Sequence, residues 1–135
     1  MNVWLALSYP AHIHFETADT WFRAQEPSAT FVFCRHTQLG FFRLMNNEAA
    51  MGKDRRNQRQ CWEIYDRWID SGNAVFMEEP AGIEIGLRQR TESEFASPKT
   101  WADAYLAAFA EAAGLTLVTF DRALAAKTKG AVVLG

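Results

Sequence analysis

Apolar positions along this chain switch between two rhythms. Unbroken apolar runs at residues 3–7, 30–34 (TFVFC), 74–77, 115–120 and 131–134 have the length and continuity of buried strands. The first run is ended by Ser8-Tyr9-Pro10, a turn signal. Between the runs the spacing becomes helical. Ala11, Phe15, Ala18 and Phe22 recur at steps of four, three and four, which predicts a helix face. A helical stretch is expected from about residue 37 to 47. Cys61, Ile64, Tyr65, Trp68 and Ile69 trace an amphipathic helix closed by Ser71-Gly72, and residues 81–90 read as a weaker one.

The pattern is clearest in the last third. Trp101, Ala104, Tyr105, Ala108, Phe109 and Ala112 follow helical spacing, with Thr100 as the expected cap and Gly114 as the expected stop. Strands alternating with helices imply βαβ units, an α/β class and a mostly parallel sheet covered on both faces. At 135 residues, with no repeat, low-complexity segment or dividing linker, the expectation is one domain.

Composition narrows the class further. Hydrophobic residues make up 49% and charged residues 22%, which excludes a disordered tail. No apolar run is long enough to cross a bilayer, and the start lacks the features of a secretory signal, so no membrane partner is expected. Cys34 and Cys61 show no CxxC spacing and no adjoining His cluster. They read as two reduced core thiols of a cytoplasmic protein. The net charge of −2 says little about partners. The stretch from Lys53 to Arg59 concentrates four bases against one acid, and Arg35 and Arg43 flank another segment. Such a stretch is either a solvated helix start or a phosphate-binding rim for nucleic acid.

In parallel α/β folds, ligands gather beyond the carboxyl ends of the strands. Asp121 directly follows the run 115–120 and so emerges from such an end. Asp103 lies 121 − 103 = 18 residues earlier, in the first turn of the preceding helix, opposite the stripe of Trp101, Ala104 and Tyr105. Its own face is made of Ala107 and Ala110, so this helix is apolar nearly all round, and a carboxylate there needs a partner or a cation. Each aspartate taken alone reads as a helix-dipole or capping residue. Taken together they could share Mg²⁺ or Mn²⁺, ions that take hard oxygen ligands, and activate a water for attack on a phosphodiester.

At these residues the chain resembles the VapC-type toxins of the PIN-domain family. Residues 97–110 (SPKTWADAYLAAFA) resemble that family's third acidic motif and residues 117–121 (LVTFD) its fourth. Residues 33–40 (FCRHTQLG) look like the strand-to-helix junction carrying the second motif, and residues 2–7 (NVWLAL) are similar to its first strand. The order holds along nearly the whole chain. The resemblance implies a PIN-like three-layer α/β/α fold and a metal-dependent endoribonuclease, the toxin of a toxin–antitoxin module. It implies as partners an RNA substrate, a cognate antitoxin and a second copy of the chain, with operator DNA bound only by the toxin–antitoxin complex. Carried over residue by residue, Asp103 and Asp121 are metal ligands, and Gln38 joins them as a catalytic position. Asn2, Thr37 and Thr119 are supporting polar groups.

Two departures weaken the acidic set. The family's first acid stands in an Asp-x-Asn pattern, which here would place it one residue upstream of Met1. The second motif usually supplies Glu, where this chain has Gln38, which adds no negative charge. The expectation for residues 1–135 is therefore weak metal binding and low activity.

The remaining chemistry-bearing residues read as follows. His12 and His14 should point apart on a helix and not share a metal, whereas His36 beside Gln38 is a candidate for phosphate contact. Phe41, Phe42, Leu44 and Met45 are either a buried core helix or a groove for an antitoxin helix or a second subunit. Glu78 and Glu79 follow a strand, as rim acids or solvated ones. Two other classes compete: a PIN-like scaffold that binds RNA or antitoxin without cleavage, and an unrelated doubly wound enzyme using the aspartates for Mg²⁺-assisted phosphoryl transfer. No GxxxxGK[ST] loop occurs, so nucleotide hydrolysis of that type has no support.

Overall fold

In the computed structural model, which describes residues 1–135, the chain divides into two units, Met1–Glu78 and Glu79–Gly135. The first contains α1 (Asn2–Ser8), α2 (Phe15–Arg23), β1 (Phe31–Phe33), α3 (Arg35–Asn46), α4 (Glu48–Met51), a 3₁₀ turn (Gly52–Asp54), α5 (Gln58–Asp70) and β2 (Ala74–Phe76). Strands β1 and β2 pair in parallel, with Phe31 opposite Ala74 and Phe33 opposite Phe76.

One expectation fails here. Residues 3–7 are not a strand; they lie in α1, where the N–H of Leu5 donates to the carbonyl of Met1 at 3.1 Å. A short apolar run has no period to separate strand from helix. The composition is compatible with helix, since Val3 is the only β-branched residue and Leu5, Ala6 and Leu7 are good helix formers. A helix also lets consecutive Trp4, Leu5 and Ala6 be buried together. Likewise α2 starts at Phe15, leaving Ala11 in the turn before it.

The core of this unit is aromatic. The rings of Trp4 and Phe33 stack at 3.9 Å, and Tyr65 meets Phe33 edge-on at 5.0 Å. Phe33 and Phe41 are fully buried and Phe42 and Leu44 partly so, which makes α3 a core helix. Met1 folds back onto α3 so closely that any Cβ at Gly40 would fall 1.7 Å from the Met1 sulfur. A side chain at 40 would have to displace the flexible end of Met1 from this position.

The second unit contains α6 (Ile83–Thr91), α7 (Thr100–Ala113), β3 (Val118–Thr119), α8 (Arg122–Ala126) and β4 (Val132–Val133). Small residues let α6 and α7 pack: Ala104, Ala107 and Ala108 are buried, and Arg90 of α6 pairs with Glu111 of α7. Gly114 stops α7 with φ of 66°, and the N–H of Leu115 reaches back to the carbonyl of Ala110 at 2.8 Å, a Schellman closure. At the other end, Thr100 is the first helical residue and not the cap; its hydroxyl donates to Ser97 at 2.8 Å. Trp101, expected on the buried stripe, is 62% exposed. It stands in the first turn, where the apolar face has not yet been covered.

Strands β3 and β4 pair in parallel over two residues, Val118 with Val132 and Thr119 with Val133. The apolar run 115–120 is longer than its strand because Leu115 is used to close α7 and only two residues find a ladder partner. Helices alternating with parallel strand pairs agree with the expected α/β class. No helix is long and apolar enough to cross a membrane.

Candidate active site

In the second unit, the end of β3 fixes Asp121. The hydroxyl of Thr119 accepts the N–H of Asp121 at 3.0 Å. Asp121 is the N-cap of α8, and its Oδ1 accepts the N–H groups of Ala123 at 2.9 Å and Leu124 at 3.1 Å. Both bonds use the same oxygen, so Oδ2 stays outside the cap. The capping reading of Asp121 thus holds, and it leaves half of the carboxylate for other work. Asp103 lies in the first turn of α7, half-buried, and makes no hydrogen bond or ion pair. The buried neighbours on its face are Ala107 and Ala110, as expected.

In the first unit, Thr37 and Gln38 sit together in the first turn of α3. The Thr37 hydroxyl accepts the N–H of Cys34 at 3.0 Å and donates to the Cys34 carbonyl at 3.1 Å, so its role there is to fasten the strand-to-helix junction. Gln38 is only 2% exposed, and its Oε1 accepts from Nη1 of Arg35 at 2.5 Å. The Arg35 guanidinium carbon also stands 4.5 Å from the centre of the Phe76 ring. Arg35 was visible in the sequence only as a flanking base, although its spacing from Gln38 is one at which helical side chains meet. Asn2 is the exposed first residue of α1. His36 is half-buried, and burial, then the N-terminal ammonium and Arg43, hold its pKa below the usual value.

The other residues singled out have simpler roles. His12 and His14 precede α2 and are not on a helix; the N–H of His14 donates to Nδ1 of His12 at 3.0 Å, and burial lowers the pKa of His12. In the basic stretch, Asp54 accepts the Tyr9 hydroxyl at 2.6 Å, and Arg56 borders a groove with Glu63, Arg67 and Trp68. Glu78 is exposed, while Glu79 accepts the hydroxyl of Tyr105 at 3.0 Å. Cys34 and Cys61 are free, buried thiols, and burial pushes the Cys61 pKa up.

No group of three or more His, Cys, Asp or Glu side chains is placed to hold a metal ion. What the chain offers a hard divalent cation is two half-buried carboxylates, Asp103 and the free oxygen of Asp121. Magnesium accepts one or two carboxylates and completes its shell with water and phosphate, so each of these carboxylates is a donor of fitting chemistry.

Comparison with known proteins gives this arrangement its context. The model of the PIN domain family matches residues 2–130. The chain is also 36% identical over 126 residues to proteins called Ribonuclease VapC41 from two strains of Mycobacterium tuberculosis, CDC 1551/Oshkosh and ATCC 25618/H37Rv. Each alignment covers 90% of this chain and 86% of the relative. With a family match across both units and that identity over nearly the whole length, the chain belongs to the PIN-domain family, in its VapC-type branch.

Proposed function

We propose that this chain is a Mg²⁺- or Mn²⁺-dependent endoribonuclease, the toxin of a toxin–antitoxin module, which hydrolyses RNA phosphodiesters. The observation that carries the reading is Asp121. It leaves the carboxyl end of β3 with one oxygen locked in backbone hydrogen bonds and the other outside them, in a chain similar to named ribonucleases. The match over residues 2–130, spanning both units, supports one PIN-like domain of three-layer α/β/α type.

Asp103 and Asp121 are the metal ligands in this reading. The bound ion would supply a water acidic enough to attack phosphorus. Thr119 holds the backbone of Asp121, so the carboxylate direction is set before any ligand arrives. Gln38 stands at the second acid's position in this reading and adds no charge, while Thr37 fastens the junction that carries it. Asn2, exposed at the start of α1, is a supporting polar group. The partners are RNA, a cognate antitoxin and a second copy of the chain, with operator DNA bound through the toxin–antitoxin complex. The two free, buried cysteines support a reducing, cytoplasmic setting.

One observation favours a second reading, a PIN domain that binds RNA or antitoxin with little cleavage. Gln38 is neutral, and its side-chain oxygen is already engaged by Arg35. Incubating the chain with a panel of structured RNAs and Mn²⁺, beside Asp103→Asn, separates the two. Cleavage abolished by chelator and by the substitution is the expected result. Cleavage no greater than in the Asp103→Asn control would leave the binding reading.

A further inference from the structure

Four arginines of the chain are ion-paired, and Arg35 is not among them. Arg23, Arg55, Arg88 and Arg90 are each paired with a carboxylate. Arg35 is exposed and has no acidic partner; a buried amide oxygen, Gln38 Oε1, and an aromatic face, Phe76, hold it instead. Both anchors lie where ligands gather in parallel α/β folds. Phe76 ends β2 opposite Phe33, and Arg35 follows Phe33 by two residues at the start of α3.

We propose that Arg35 binds a phosphate of the RNA substrate, with Gln38 and Phe76 as the residues that aim it. This rests on the ribonuclease reading above and adds a residue to it. The guanidinium has five N–H donors in a rigid fork, and Gln38 accepts from Nη1 alone. A fork fixed from two sides, with donors left over and its charge not neutralised, matches an oxyanion that takes two parallel hydrogen bonds. The neutrality of Gln38 is what makes this work. A glutamate at 38 would hold the same guanidinium but cancel its charge. Glutamine supplies an acceptor and leaves the full positive charge for phosphate.

The test uses the full chain in EDTA with a short single-stranded 2′-O-methyl RNA, so that binding is read without cleavage. Affinity is measured by fluorescence anisotropy across a salt series. Arg35→Ala is expected to weaken binding about tenfold, the order of one charge-assisted contact. It should also flatten the plot of log K against log salt by about 0.7, the loss of one phosphate contact on a single strand. Gln38→Met, close in shape, is expected to weaken binding while keeping the salt slope, because the charge remains but is no longer aimed. A purely structural role for Gln38 would shift the unfolding midpoint without separating affinity from slope. Arg88→Ala, at an ion-paired surface arginine, controls for net charge, and Arg35→Gln replaces Arg35→Ala should the latter fail to fold.

An unchanged affinity and slope in a folded Arg35 variant, or an equal loss in Arg88→Ala, overturns the assignment while leaving the ribonuclease reading intact. Wild-type chain that neither binds nor cleaves RNA sinks both together.

Discussion

The hydroxyl of Thr119 accepts the backbone N–H of Asp121 at 3.0 Å, tying the last residue of β3 to the acid two positions on. Asp121 is thereby a structural cap and a candidate metal ligand in one side chain, and the two roles use different oxygens. Substitutions can therefore separate them. Asp121→Asn keeps an oxygen for the N–H groups of Ala123 and Leu124 and removes the charge. It should leave stability nearly unchanged and lower Mn²⁺-dependent cleavage by at least about a hundredfold, since even partners outside a metal's ligand set cost ~10–100-fold. Asp121→Ala should lose activity and also about 1 kcal/mol of stability with the cap. Urea unfolding beside an RNA-cleavage assay reads both, and cleavage surviving in Asp121→Asn would remove this residue from the ligand set.

Metal affinity should respond to the number of carboxylates. With Asp103 and Asp121 as the acids of the set, placing an aspartate directly before Met1 completes the Asp-x-Asn pattern with Asn2. Calorimetric titration with Mn²⁺ is expected to show tighter binding for the extended chain, because each added anion strengthens the field that retains a dication. Equal affinities for the two chains would contradict that role for the upstream acid.

The stacked aromatic core sets the stability of the first unit. Phe33 is fully buried between Trp4, Phe41 and Tyr65. Phe33→Ala should cost about 3–5 kcal/mol through lost transfer energy and an unfilled cavity. Phe33→Leu should cost less. Chemical denaturation midpoints for the pair check the ordering, and a loss under about 1 kcal/mol for Phe33→Ala would mean the core repacks around it.

His36 should make stability fall with acid. Burial, the N-terminal ammonium and Arg43 hold its folded pKa below the usual 6.5, so the unfolded chain takes the proton first as pH drops. Its contribution is complete above 6.5 and is lost as pH falls through that value towards the depressed one. His36→Gln should flatten the change in unfolding midpoint between about pH 7.5 and 5.5. An unchanged pH profile in that variant would assign the effect to other groups.

Much of this architecture could be read from the chain alone. Spacing located α5 and α7, because 3.6-residue periodicity persists over several turns and few alternatives fit it. The stop at Gly114 was legible because a left-handed closing residue favours glycine. The placement of Asp121 at a strand end followed from the apolar run before it, and PIN-type motif order pointed to both aspartates.

What the sequence could not decide were matters settled by distant partners. Residues 3–7 carry no period, and only burial against Phe33 and Trp68 accompanies their helical form. The strand after α7 shrank to the two residues that β4 could pair. Arg35 looked like any surface base, since nothing local announces that Phe76, 41 residues further on (76 − 35), will lie beneath its guanidinium. Periodicity and motif order are local properties, fixed by neighbours along the chain. That the Phe76 ring lies under the Arg35 guanidinium depends on a contact that exists only once β2 has packed beside the start of α3.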